Sequence, residues 1–104
     1  MSIDIGQTFS DMAQVAGQSL EEGGAAIGSG ISKVLNNNKQ SLAELAQARV
    51  DSEINDEDFA NELAREQLIV EAEMIALEIA SKAAVQKAVN GAMDVLTKAV
   101  AAAI

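Results

Sequence analysis

Residues 67–99 read QLIVEAEMIALEIASKAAVQKAVNGAMDVLTKA, and this stretch decides the fold class. It contains no Pro and a single Gly, Gly91. Its apolar residues recur at three- and four-residue intervals instead of alternating, which is the period of a helix. Two stripes at seven-residue spacing run through it. Leu63, Val70, Leu77 and Ala84 make one, and Leu68, Ile75, Val89 and Leu96 make the other, which Lys82 interrupts. The near-freedom from breakers extends outward from Phe59 toward Ile104, predicting about forty residues of continuous helix, roughly 60 Å at 1.5 Å per residue. Two buried seams on one helix require more than one neighbour. One partner helix from the same chain covers one seam, and too little sequence remains to cover the other. The reading is therefore all-α: a helical hairpin with a long C-terminal amphipathic helix, assembled in a homo-oligomeric helical array. Leu63, Leu68, Val70, Ile75, Leu77, Ala84, Val89 and Leu96 are its expected assembly interface.

Charge is distributed unevenly along that helix. Residues 51–78 hold ten acids against Arg65, whereas 79–104 hold Lys82, Lys87 and Lys98 against Asp94. Glu71, Glu73 and Glu78 interrupt the most apolar part. They are either the exposed edge of a half-buried helix or partners for Lys82, Lys87 or Lys98 of a neighbouring copy. Glu78 and Lys82 also form an i, i+4 pair within one helix, worth about 0.2–0.5 kcal/mol. Copies stacked in register would set acid against acid, so a staggered, head-to-tail contact is expected. Ala80, Ala84, Ala88 and Ala92 recur every fourth position, which lets another helix approach closely.

Upstream, residues 1–35 form a Gly-rich helical arm that carries six of the seven glycines. Phe9, Ala13, Ala16 and Leu20, then Ile27, Ile31 and Val34, keep a helical stripe, with Thr8 or Ser10 and Asp11 as the cap. The Gly23-Gly24 pair is the expected break, because each interior Gly costs roughly 1 kcal/mol relative to Ala. Gly24 and Gly28 suit close helix packing. Asn36, Asn37 and Asn38 mark a turn over 36–40, after which Ser41 and Glu44 have capping-box spacing and open the 41–104 helix. Asn55, Asp56, Glu57 and Asp58 read equally as a fresh N-terminus or as the polar face of an unbroken helix.

Composition narrows function further. The 104 residues include no His, Cys, Trp, Tyr or Pro, and only Phe9 and Phe59 are aromatic. Without His or Cys the usual general bases, thiol nucleophiles and zinc ligands are missing, so no enzyme and no cofactor are expected. The acids of 51–62 supply in no register both the sixth-position Gly and the twelfth-position Glu of a calcium loop. The Gly-rich run 23–30 lacks the Gly-Lys-Ser/Thr of a phosphate loop. A formal charge of −9 with seven scattered bases argues against nucleic acid. Twenty residues are Ala, so large core side chains are few, and a chain this short already buries a low fraction of its surface. Both points favour self-association. No signal-peptide pattern and no uncharged stretch of spanning length are found. Signal-less export to the cell surface or beyond is expected, with a cytoplasmic location as the alternative.

The short acidic chain, its Gly/Ala/Ser-rich first third, its Asn turn and above all residues 67–99 resemble the subunits of type III secretion filaments: needle, plant-type pilus and inner-rod proteins. The resemblance implies a C-terminal helix packed around a lumen, a structural role in an export conduit, and other secretion-apparatus proteins as partners beside the chain itself. The chain departs from needle subunits in lacking their Pro-containing turn and aromatic positions. Two other readings stand beside it. In one, 79–104 is a membrane-active amphipathic helix that associates without spanning. In the other, 67–80 is the binding face of a soluble adaptor or chaperone for a partner helix.

Overall fold

The computed structural model describes residues 3–18 and 24–104, and every regular element among them is α-helix. Five helices follow in order: α1 Ile5–Gln18, α2 Gly24–Asn37, α3 Lys39–Val50, α4 Asp56–Ala76 and α5 Lys82–Ala103. The all-α expectation holds. The long helix expected over 41–104, with a break near 55–58 left open, is divided into three, at that joint and again after Ala76. The radius of gyration is 13.0 Å, that of a compact domain of about 100 residues.

Helix α1 starts earlier than the expected caps. Asp4 caps it, its Oδ1 accepting from the Gln7 N–H at 3.0 Å, while Thr8 Oγ1 donates to the Asp4 carbonyl at 2.7 Å. That satisfied hydroxyl lets Thr8 go into the interior beside Met12 and Ala16. The buried stripe is therefore turned by about one residue, and Phe9 and Ala13 are half-buried. In α2 the expected stripe of Ile27, Ile31 and Val34 is buried, joined by Leu35. Helices α1 and α2 pack closely at Gly28, where a Cβ would stand 3.5 Å from the Ala13 carbonyl oxygen and 3.8 Å from the Gly17 Cα. The expected break at Gly23 lies outside the described residues, and α2 begins at Gly24.

The Asn turn is narrower than expected. Only Asn38 leaves the helix, with its N–H shared between the Val34 and Leu35 carbonyls and its Nδ2 donating to the Val34 carbonyl. Helix α3 begins at Lys39, so Ser41 is interior and does not cap. At the next joint, Asn55 is an N-cap whose side chain accepts from the Asp58 N–H at 2.8 Å, with Asp56, Glu57 and Asp58 over the positive end of the dipole. That resolves the two readings of 55–58 in favour of a fresh start. Arg49 ties the joint, reaching Asp56 at 2.8 Å.

A second joint has no counterpart in the sequence reading. Residues 77–81 turn the chain back between α4 and α5, with Glu78 at φ 54°. Ser81 restarts the helix by accepting from the Ala84 N–H at 3.1 Å. Helices α4 and α5 are thus antiparallel, and the Gln67 side chain donates to Asn90 across them. Val85, Ala88, Val89, Ala92, Met93, Leu96 and Val100 of α5 are all buried, covering an arc too broad for one partner. Helices α1, α3 and α4 share it, and α1 comes close where Gly91 faces Val15. The chain therefore does cover the broad face of α5 with its own helices, contrary to the expectation that too little sequence remained.

Candidate functional site

On α4 the buried positions are Phe59, Leu63, Val70 and Met74, which share one face at helical spacing. The opposite face changes character along its length. Its first half is polar, with Glu57, Asn61 and Arg65 exposed. Its second half carries Leu68, Ala72 and Ile75 at i, i+4 and i+7, all exposed, with Ile69 and Ala76 on the flank. Leu68 is 67% exposed and Ile69 45%, while Ile75, Leu77 and Ile79 each keep more than a third of their surface in water. A cluster of large exposed apolar side chains marks a contact surface better than scattered ones do.

The expected interface residues divide between this face and the core. Leu63, Val70, Val89 and Leu96 are buried within the chain, so in this fold they touch its own helices and cannot meet a neighbour's surface. Ala84 is half-buried in the first turn of α5. Leu68, Ile75 and Leu77 are exposed. Ile69 and Ile79 fall off both heptad stripes and were missed. The signal for Ile69 was the solvent-facing side of a helix whose other side already holds Phe59, Leu63, Val70 and Met74, whereas Ile79 lies in the turn beyond that helix.

Leu77 and Ile79 fold back over α2. A Cβ on Gly30 would stand 2.6 Å from Ile79 Cδ1, 3.4 Å from Leu77 Cδ1 and 3.5 Å from Met74 Cε. Gly30 is thus a seat for the turn, and its missing side chain makes room for the Ile79 tip.

The charged residues are distributed around the patch in different local pairings. Glu73 accepts from Asn38 Nδ2 at 2.5 Å, which fastens α4 to the α2–α3 joint. Glu71 accepts from Gln67 at 3.3 Å on its own helix. Lys98 pairs with Asp94 at 2.9 Å, and that hydrogen bond, with the Asp94 charge, raises the Lys98 pKa above its ordinary value. Glu78, Lys82 and Lys87 are exposed, and among the described residues no ion pair reaches them. The i, i+4 contact expected between Glu78 and Lys82 is lost because the turn separates them.

Two shallow depressions flank the bundle. One, of about 370 Å³, runs from Phe59 and Leu63 to Thr97. The other, of about 320 Å³, lies between Phe9, Leu35 and Lys39. Each offers one charged group and no paired acid and base. Among the described residues no three acidic side chains gather as a metal site, and no helix is long and apolar enough to cross a membrane. Comparison with known protein families, with curated proteins and with solved structures finds no match to this chain.

Proposed function

We propose that this chain is a structural, self-assembling subunit, the building block of a filament or export conduit, and that copies meet through the second half of α4 and the turn after it. The observation that carries the reading is Leu68, 67% exposed on a helix whose other face is fully packed. With Ile69 and Ile75 it exposes the equivalent of about one and a half whole side chains, so covering them is worth roughly 2–5 kcal/mol per copy. Two such faces meeting roughly double that, against an association cost on the order of 4–15 kcal/mol. The balance gives a contact that forms at high local concentration and is reversible in dilute solution, as an assembling subunit requires. Among the described residues no ion pair reaches Lys82 or Lys87, which leaves them available to acids of a neighbour, and location outside the cell belongs to the same proposal.

The adaptor reading draws on the same stripe, since Leu68, Ala72 and Ile75 suit one amphipathic partner helix. The membrane-active reading has less support, because the apolar face of 79–104 is spent on the core through Val85, Val89, Leu96 and Val100. Sedimentation over a concentration series, with negative-stain microscopy of the concentrated sample, tests the proposal. Concentration-dependent particles that Leu68→Asp abolishes, with the helical circular-dichroism signal unchanged, are expected. A monomer at every concentration, or an unaffected variant, overturns it.

A further inference from the structure

We infer that the 77–81 turn is a hinge that straightens, so that α4 and α5 become one helix and two copies exchange α5. The inference deepens the self-assembly reading and rests on it, naming the second copy as partner and α5 as the part exchanged.

Four observations carry it. First, residues 77–81 (LEIAS) contain neither Gly nor Pro, yet Glu78 is held at φ 54°, a backbone region that costs any residue with a Cβ. Straightening returns Glu78 to helical angles. Second, the buried faces of the two helices are in phase on an unbroken helix. Buried Leu63, Val70 and Met74 of α4 and buried Val85, Ala88, Ala92 and Leu96 of α5 follow at three-, four- and seven-residue steps through Leu77 and Ser81, both exposed in the closed turn, so the opened helix aligns the two apolar faces along one side. Third, Lys82 has no ion pair among the described residues in the closed form. On a straight helix it lies four residues after Glu78, the favourable order for such a pair. Fourth, the closed turn depends on a shallow seat: Ile79 fits over α2 only because Gly30 has no side chain, and it stays more than a third exposed.

Exchange preserves the contacts of the folded chain. In the closed form α4 and α5 run antiparallel, with Gln67 bonded to Asn90 and Thr97 beside Leu63. Position numbers that face each other therefore sum to about 157–160, and the centre of the hairpin falls at the turn. A second copy related by a two-fold axis through that centre supplies an α5 to the same groove, with Gln67 of one chain against Asn90 of the other. The only new surface is the pair of straightened 77–81 segments, which meet at the axis together with the exposed Ile75 of each chain. Such a dimer extends about 70 Å along the joined helix, whereas the closed chain measures 39 Å in its longest direction.

The chain has no cysteine, so a two-cysteine variant reports connectivity directly. Gln67→Cys with Asn90→Cys, both positions at or near the surface, is concentrated, separated by size into monomer and dimer, and treated with a short bis-maleimide. Exchange joins the two chains of the dimer fraction covalently on a denaturing gel, while the monomer fraction links within the chain. A dimer fraction that links only within chains overturns exchange and leaves docking through the α4 face standing. The absence of any dimer overturns both. Glu78→Gly, which relieves the strained angle and disfavours the straight helix, is expected to weaken the dimer at least tenfold. An equal or tighter Glu78→Gly dimer also counts against the hinge.

Discussion

Gly30→Ala and Ile79→Ala, made singly and together, measure how firmly the turn between α4 and α5 is seated. The added methyl at Gly30 would stand 2.6 Å from Ile79 Cδ1, too close to coexist with the present rotamer. The atom in the way is the tip of a flexible side chain, so Ile79 can swing outward without moving backbone. Ile79 is about two thirds buried, and losing that burial costs about 1–2 kcal/mol. Against this, Ala in place of Gly inside α2 gains about 0.5–1 kcal/mol of helix stability. Gly30→Ala alone should therefore destabilise by only about 0.5–1 kcal/mol. Ile79→Ala alone should cost about 1–2 kcal/mol. In the Gly30→Ala background the isoleucine is already displaced, so removing it should cost little. The coupling is then about 1 kcal/mol, well inside the range for residues in contact. Urea unfolding in dilute protein reads it as a non-additivity of roughly 0.5–1 M in midpoint at unchanged slope, for slopes of about 1–2 kcal/mol/M. Effects that add to within about 0.3–0.5 kcal/mol would refute the seat.

Other positions test the remaining joints and faces. Asn55→Ala removes the cap that accepts from Asp58 and should cost about 1 kcal/mol by the same unfolding assay. Ser52 sits at φ 61°, so Ser52→Gly should stabilise by about 0.5–1 kcal/mol, whereas Ser52→Val should destabilise. Leu96→Ala, in the core, should lose about 2–5 kcal/mol of stability. Leu68→Asp should change stability by less than about 0.5 kcal/mol while removing, in sedimentation, every particle larger than the exchanged dimer. Association of the parent chain should strengthen between about 0.01 and 0.15 M salt, because its −9 charge is then screened over about 8 Å instead of 30 Å.

The legible parts of this fold are those where a local signal and the tertiary structure agree. The α2 stripe of Ile27, Ile31 and Val34 needed only helical period, whereas cap chemistry at Asn55 offered a fresh start as one of two equal readings, and tertiary packing decided it. The α1 register was misread because Thr8 and Met12 do not look like a stripe until Asp4 is seen to accept the Thr8 hydroxyl. Ser41 and Glu44 have the spacing of a capping box, but Asn38, held by Val34 and by Glu73 of α4, starts the helix two residues sooner. The 77–81 turn carries no breaker at all. It forms because folding back lets α1, α3 and α4 cover the broad apolar face of α5, and that gain is many times the local cost of one strained residue, about 1–3 kcal/mol.

The same comparison explains why the interface set divided as it did. A heptad seam records that a helix has apolar neighbours, and it carries no information about which copy supplies them. Leu63, Val70, Val89 and Leu96 are sealed by helices of their own chain in the closed form, and in an exchanged dimer the same atoms would be sealed by a second chain with the same partners. Patterning therefore cannot separate intramolecular from intermolecular burial at these positions, whereas the hinge can. What distinguishes the two forms is confined to residues 77–81 and their surroundings: the angle at Glu78, the seat at Gly30, the Glu78–Lys82 spacing and the exposed Ile75, Leu77 and Ile79. Substitutions in the core should lower the stability of both forms alike, and substitutions at the hinge should move the balance between them while leaving the core intact. Leu96→Ala and Glu78→Gly are the contrasting pair. The first should lower the unfolding midpoint of monomer and dimer together, and the second should change the monomer–dimer ratio with little loss of midpoint. A dimer that answers to Leu96 and ignores Glu78 would place its contact elsewhere than at the turn.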